Sequence, residues 1–300
     1  MTAVTDALAW FVVGAFGTSA LLQGQSRQWS RYLAVTAWVL FAAFWGLLTP
    51  HFAFTQQSII EGVLAAAAVP ACLYTAYLVG AGKRNPETLT RAVAIMGLLY
   101  LPFQTIEVLR QFMIETVAQQ GEWVMAQLGY YPPIVDGDHG YHAKYVFLGE
   151  NQVTGEAGHR FTTTVLLACT GVGSMSIVGG LALAVDAPLR RRLLAVAITF
   201  PIIYGLNIVR VVFIAIAHGE QWFAGGVVES LVDMMFGSPS PNMVSYLFAD
   251  RVLAQSLSVV VLVVLTLALL RIIPELGGVI EDVLYIATGK EYDVTARFAQ

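Results

Sequence analysis

The sequence is poor in charged residues, and this scarcity excludes most classes of soluble protein. Only 12% of its 300 residues are Asp, Glu, Lys or Arg, against about 25% in an ordinary soluble domain. Hydrophobic residues make up 57% of the chain and its mean hydropathy is +0.69. Most of the chain must therefore lie in lipid, which excludes a disordered protein and a secreted disulfide-rich scaffold.

Positive charge and cysteine are also scarce. The chain has 16 Lys and Arg against 20 Asp and Glu, so it lacks the basic excess with which a protein binds nucleic acid. Its two cysteines, Cys72 and Cys169, lie far apart in apolar runs, which is not the pattern of a disulfide or metal framework. No His, Cys or acidic residues show ligand spacing in one outer layer. We therefore predict neither a metal site nor a cofactor.

Long hydrophobic runs, by contrast, are abundant. Seven of them have roughly the 17–25 residues that an α-helix needs to cross a bilayer. These runs lie at residues 7–23, 32–49, 58–80, 92–116, 161–184, 193–217 and 244–270. We therefore predict an all-α polytopic membrane protein with about seven transmembrane helices.

A long polar segment, residues 117–160, separates the fourth predicted span from the fifth. It contains aromatic residues, two consecutive prolines and more acidic than basic residues, so we predict an ordered extracytoplasmic cap. The predicted regions are a four-span membrane region (1–116), the cap (117–160), a three-span membrane region (161–272) and a cytoplasmic tail (273–300).

Basic residues are unevenly distributed among the loops, and cytoplasmic loops are the ones enriched in Lys and Arg. Every second loop and the segment after the last span hold most of them: Arg27, Arg31, Lys83, Arg84, Arg91, Arg190, Arg191, Arg192 and Arg271. We therefore predict that the N-terminus is outside the cell and the C-terminus in the cytoplasm. No cationic segment precedes the first run, so we predict a retained helix rather than a cleaved signal peptide.

Each of the last three predicted spans contains a reactive or charged side chain. Cys169 lies in A-C-T-G-V-G-S, Arg210 in N-I-V-R and Arg251 in A-D-R. A charge at the bilayer centre costs at least about 2.5–3.5 kcal/mol, so each arginine needs a reason. At a rise of about 1.5 Å per residue, the three lie about 12, 11 and 11 Å below the outer ends of their spans. We infer that they share one layer beneath the outer leaflet.

This combination of side chains is suited to nucleophilic chemistry. Arg stays protonated at physiological pH, so two guanidiniums beside the Cys169 thiol favour the thiolate, whereas apolar surroundings alone favour the neutral thiol. The guanidiniums could also stabilise the oxyanion that forms when the sulfur attacks a carbonyl. Because Arg does not exchange protons at neutral pH, the proton donor must be His218, Tyr204, water or the substrate. We interpret Asn207 as orienting Arg210.

Simpler explanations of these residues stay open. Cys169 could be a small buried hydrophobic residue. Arg210 could extend its guanidinium to the outer headgroups. Arg251 could form a structural ion pair with Asp250 or with Glu107.

The motif A-C-T-G-V-G-S, followed by N-x-x-R and then by a further Arg, resembles the exosortase/archaeosortase family, and an Arg in the last position resembles its archaeal branch. The resemblance extends over most of the chain, and its specific part is residues 161–255. It implies a membrane cysteine transpeptidase in which Cys169 is the nucleophile and Arg210 and Arg251 are its catalytic partners.

The resemblance also implies a substrate class. Members of the family process secreted surface proteins that end in a Pro-Gly-Phe-type motif, a hydrophobic helix and a basic tail. We therefore expect this chain to cleave such a C-terminal sorting signal near the outer leaflet and to support lipid attachment to the new C-terminus. The expected partners are secreted surface proteins and a membrane lipid as acceptor, and not nucleic acid.

Two other functions stay open. The segment G-V-G-S, which ends at Ser174, faintly resembles the motif of serine intramembrane proteases, with His218 as a possible base. It lacks the glycine after the serine, and it leaves two buried arginines unexplained. An anion or lipid transporter could use Arg210 and Arg251 as a binding pair, and it would not need Cys169.

Overall fold

The computed structural model describes residues 3–56, 58–83, 86–137 and 139–295. Arg84 and the end of the predicted tail, residues 296–300, lie outside the described residues. The described chain is mostly helical. Its α-helices are α1 (Ala3–Leu22), α2 (Arg27–Pro50), α3 (Ile59–Gly80), α4 (Glu87–Thr105), α5 (Glu107–Gln127), α6 (Val172–Ala184), α7 (Leu189–Gly219), α8 (Gly226–Phe236), α9 (Pro241–Leu247), α10 (Gln255–Ile272) and α11 (Gly277–Thr288).

Shorter elements complete the secondary structure. Three strands, β1 (Ile134–Asp136), β2 (His142–Glu150) and β3 (Ala157–Thr164), form an antiparallel sheet in the order β1-β2-β3. A π-helical turn, Phe248–Ala254, joins α9 to α10, and another, His51–Thr55, extends α2. A 3₁₀ turn, Leu167–Cys169, lies between β3 and α6, and a second one, Pro274–Leu276, precedes α11.

The chain forms two compact units, each built from separated segments. The first contains the residues up to Thr105, Gly173–Pro201 and those from Leu262 onward, and the second contains Ile106–Val172 and Ile202–Val261. The predicted division into four consecutive regions stays a prediction.

Aromatic packing and close helix contacts form the core of the first unit. Phe16 of α1 packs edge-on against Trp38 of α2 with ring centroids 5.0 Å apart, and Cys72 belongs to the same buried cluster. A Cβ on Gly180 of α6 would lie only 2.8 Å from the carbonyl oxygen of Ala92 in α4. A glycine is therefore needed there for the two helices to approach.

In the second unit the sheet packs on helices. The buried Tyr145 of β2 donates a hydrogen bond of 2.7 Å to the carbonyl of Ala118 in α5. A Cβ on Gly121 of α5 would overlap the same tyrosine hydroxyl, and a Cβ on Gly219 of α7 would overlap the ring of Phe147. These glycines let the sheet lie directly on both helices.

Fewer helices can span a membrane than the sequence predicts. Among the described residues, five helical segments are long and apolar enough: Val4–Leu22, Arg27–Thr55, Ile59–Gly80, Leu189–Gly219 and Pro241–Ile272. α4 and α5, which are broken at Ile106, count as a sixth only if they are taken together. The protein is thus a multi-pass membrane protein, but a count of seven is not reached.

Two predicted spans are therefore not confirmed as single helices: the fourth, residues 92–116, which bends by 86° between α4 and α5, and the fifth, residues 161–184. The fifth is the one that no helix of sufficient length replaces. Its first part is strand β3 and the 3₁₀ turn, and only 13 residues, Val172–Ala184, are helical. At about 1.5 Å per residue this helix is about 20 Å long, which is short of the roughly 30 Å of a hydrocarbon core.

The prediction of an all-α fold is also wrong, because the segment predicted as a cap contains a sheet. α5 continues through the first part of residues 117–160 to Gln127, and the three strands follow it. In β2, buried and exposed residues partly alternate, and both β2 and β3 contain aromatic and β-branched residues. These features are typical of strands, but a search for long apolar runs does not detect them.

Candidate active site

Cys169 lies in the second unit, at the end of the 3₁₀ turn that follows β3. Its backbone N–H donates a hydrogen bond of 2.9 Å to the carbonyl of Leu166, and the side chain is a free, half-buried thiol. The turn is closed by the Thr170 hydroxyl, which donates 2.7 Å to the carbonyl of Leu167. Local hydrogen bonds therefore fix the backbone that carries the sulfur.

A glycine and an asparagine support this turn from the side of α7. Gly171 has a φ of +81°, which favours glycine, and a Cβ there would lie 2.7 Å from Nδ2 of Asn207. That amide donates 2.8 Å to the carbonyl of Ile203. The structure thus places Asn207 against the cysteine turn, and its orienting role toward Arg210 stays a prediction.

Arg210 and Arg251 share one buried carboxylate. Oδ1 of Asp250 accepts a hydrogen bond of 2.9 Å from a terminal nitrogen of Arg210, and its Oδ2 lies 3.4 Å from Nε of Arg251. The side chain of Asp250 is only 8% exposed, and those of Arg210 and Arg251 are 20% and 14% exposed. The ion pair of Arg251 with Asp250, one of the simpler explanations, is therefore present. Arg210 contacts the same carboxylate.

The carboxylate that contacts both arginines lies in a local irregularity of the helix. Asp250 and Arg251 belong to the π-helical turn Phe248–Ala254. Such turns have a wider repeat than an α-helix and often occur at functional sites. Both residues of this turn contribute to the cluster.

Burial and the neighbouring charges shift the pKa of the Cys169 thiol in opposite directions. Cys169 precedes α6 and lies outside the candidate spans. Burial raises the pKa of its thiol above the ordinary value, whereas the charge of Arg210 and, more weakly, that of Arg251 lowers it, and Asp250 raises it. The arginines act in the expected direction, but burial outweighs them. The thiolate therefore stays a prediction, which the two arginines favour and burial opposes.

Tyr246, which the sequence analysis did not identify, belongs to the same cluster. Its hydroxyl interacts electrostatically with Asp250, Arg251, Cys169 and Arg210. It lies on α9, one helical turn before the acidic residue. Its position four residues before Asp250, which is the spacing of side chains on one helix face, is the sequence feature that could have identified it.

His218 packs against Tyr246 of this cluster. The histidine is buried, and its ring lies 5.4 Å from the ring of Tyr246 and 5.5 Å from that of Phe161. The amide of Gln221 lies 3.4 Å from its Nδ1. The other proposed proton donor, Tyr204, donates its hydroxyl hydrogen to Gln120 at 2.8 Å.

Comparisons with known proteins show the family to which the chain belongs. Residues 3–240 match the family described as Transmembrane exosortase (Exosortase_EpsH). A relative named Archaeosortase A, from Haloferax volcanii, is 44% identical over 301 residues, which cover 97% of this chain and 96% of the relative. A second Archaeosortase A, from Natronomonas pharaonis, is 44% identical over 291 residues, which cover 94% and 89% of the two chains. No solved structure matches the chain.

Proposed function

Because this chain belongs to the transmembrane exosortase family, we propose that it is a membrane cysteine transpeptidase. It cleaves the C-terminal sorting signal of secreted surface proteins and transfers the new C-terminus to a membrane lipid. Cys169 is the nucleophile, and Arg210 and Arg251 are its catalytic partners. The 44% identity, over nearly the full length, to proteins named Archaeosortase A supports the proposed processing of sorting signals.

One observation carries the proposal: the three motif residues belong to a single compact unit and act on each other. Both arginines lie close enough to Cys169 for their charges to lower the pKa of its thiol. Asp250 holds the two guanidiniums together through its separate oxygens. A thiol beside two fixed cations is suited to attack a carbonyl whose oxygen becomes negative.

In the first step, the sulfur of Cys169 attacks the carbonyl carbon of the scissile peptide. The oxyanion that forms is stabilised by Arg210 and Arg251, which need no proton transfer for this role. The C–N bond then breaks, a thioester forms, and the proton of the thiol passes to the departing amine. The thiol thus supplies the proton that the departing amine requires.

In the second step, an amine of a membrane lipid attacks the thioester carbonyl. The C–S bond breaks, the amine loses a proton to the departing sulfur, and the Cys169 thiol is restored. The lipid is then joined to the protein by an amide bond. Water in place of the amine would release the cleaved protein as a free carboxylate.

We place this chemistry near the outer leaflet, with the N-terminus outside and the C-terminus in the cytoplasm. The uneven distribution of arginines among the loops supports this orientation. A substrate held by a hydrophobic helix with a basic cytoplasmic tail would present its motif on the same side as Cys169.

The proposal is tested by replacing the thiol. Cys169→Ala should abolish tail removal, and Cys169→Ser should reduce it at least about a thousandfold, because a hydroxyl is a far weaker nucleophile here. Cys72→Ala is the matched control, since that thiol lies in the core of the first unit, and Ser174→Ala tests the serine-protease alternative. The measurement is the mobility shift of a tagged substrate in membranes. Undiminished processing by both Cys169 variants would end the proposal.

A further inference from the structure

Strand β3 is an edge strand, and its backbone pattern shows which groups face away from the sheet. Val165 donates its N–H to the carbonyl of Ala143 at 2.8 Å. In an antiparallel ladder, hydrogen-bonded and non-hydrogen-bonded pairs alternate. By the observed register, Thr163 therefore bonds to β2, whereas Thr162 and Thr164 present their N–H and C=O groups outward.

An independent contact supports this alternation. Val146 of β2 lies opposite Thr162, and its N–H donates 3.1 Å to the carbonyl of Pro133, on the β1 side of the sheet. It is thus directed away from β3, as a non-hydrogen-bonded pair requires. No strand in the described part of the chain pairs with the outward edge of β3.

The two ends of this edge differ. Arg160 is exposed, Gly158 has a φ of +85°, and the β2–β3 register shifts between Gly149 and Glu150. Charged side chains and irregularities of this kind are how natural sheets prevent an edge from pairing. The end at Thr162 and Thr164 has a regular register and no charge. That end of the edge therefore lacks the features that prevent pairing, and its Thr162 is exposed.

The open end leads to the candidate nucleophile. Leu166 continues the extended backbone with a φ of −111° and a ψ of 165°, and its side chain is 49% exposed. The turn that ends at Cys169 follows at once. A segment paired along residues 162–166 would therefore end beside the sulfur.

We propose that residues 162–166 bind the extended segment of the polypeptide substrate next to its scissile bond, as a fourth strand of the sheet. This inference rests on the proposed function, which requires a peptide carbonyl at Cys169. The edge offers backbone donors and acceptors in strand spacing, and only a polypeptide can match them over several residues. A lipid cannot, so the acceptor lipid must approach by another route.

The proposal is tested by Thr162→Pro, measured beside Thr162→Val. Proline removes the outward N–H and places its ring on the edge, but leaves the ladder to β2 intact because that N–H faces away from it. Thr162→Pro should lower processing of a full-length substrate about tenfold, as expected for losing one or two backbone hydrogen bonds. Alkylation of Cys169 by iodoacetamide should stay unchanged. Thr162→Val keeps the N–H and should stay within twofold of the parent. Equal processing by both variants would overturn the proposal.

Cross-linking tests the same contact without depending on the proline variant. In a Cys169→Ala chain carrying Thr162→Cys, disulfides should form with substrates that bear single cysteines at alternate positions before the scissile bond, because paired strands have a repeat of two. Cross-linking at consecutive positions, or at none, would contradict strand pairing. Normal processing by Cys169→Ala would instead overturn the proposed function, so the two failures are distinguishable.

Discussion

Two aspartates that pair with arginines in this protein differ in how deeply they are buried and in how many arginines they contact. In the first unit, Arg91 forms a two-pronged pair with Asp186, with distances of 2.9 and 2.8 Å, and the side chain of the aspartate is 80% exposed. In the second unit, Asp250 contacts both Arg210 and Arg251, and its side chain is only 8% exposed. One pair lies in the high dielectric of water, and the other cluster does not.

This difference bears on what each group of charges can contribute. An exposed ion pair contributes at most about 1 kcal/mol, so it can be kept or lost with little consequence. A buried ionic cluster carries a desolvation cost of several kcal/mol per ion, and well-packed apolar residues often give equal stability. Stability alone therefore does not explain the buried arginines, whereas the catalytic role that we propose for them does.

The largest expected difference between the two groups is in activity. Arg210→Lys should lower processing at least about a hundredfold, because an ammonium is a point charge that does not replace a planar guanidinium fork on a carboxylate and an oxyanion. Arg91→Lys is the matched control and should stay within about twofold. Tail removal in membranes measures both. Equal loss in the two variants would mean that the buried arginine has no special role.

The sequence predicts much of the membrane part, because apolar runs of span length are a strong signal. The predicted runs 32–49 and 58–80 correspond to α2 (Arg27–Pro50) and α3 (Ile59–Gly80). The signal fails at residues 161–184, where the end of a strand, a turn and a short helix follow one another. A hydropathy run measures the length of an apolar segment and does not reveal its backbone conformation.

The site was only partly predictable for a related reason. Cys169, Arg210 and Arg251 stand out because ionisable groups are rare in apolar segments. Asp250, which bridges the two arginines, lies in the π-helical turn Phe248–Ala254, and Tyr246 lies just before it. That turn shifts side chains from the faces that an α-helical repeat predicts, and no local pattern in the sequence indicates it.

The pH dependence of activity, a smaller effect, should distinguish an electrostatic role of Asp250 from a structural one. Its negative charge raises the pKa of the Cys169 thiol, so Asp250→Asn should lower that pKa while keeping an oxygen that can accept from Arg210. The sulfur attacks after it has lost its proton, so the rising part of the pH profile of activity should move to lower pH. A purely structural role would lower activity at every pH and leave the profile in place.

The smallest effect is expected at the exposed pair, and it concerns stability. The hydrogen bond from Arg91 lowers the pKa of Asp186 below its ordinary value of 3.8, so the pair stabilises the fold above about pH 4 and loses this contribution as the pH falls and the carboxylate is protonated. Asp186→Asn should lower the free energy of unfolding at pH 7 by no more than about 1 kcal/mol, since solvent screens the pair. Thermal unfolding in detergent at pH 7 and at pH 3 measures the difference. A loss of several kcal/mol, or an equal loss at both pH values, would show that the pair is not a screened surface contact and would remove the contrast with the buried cluster.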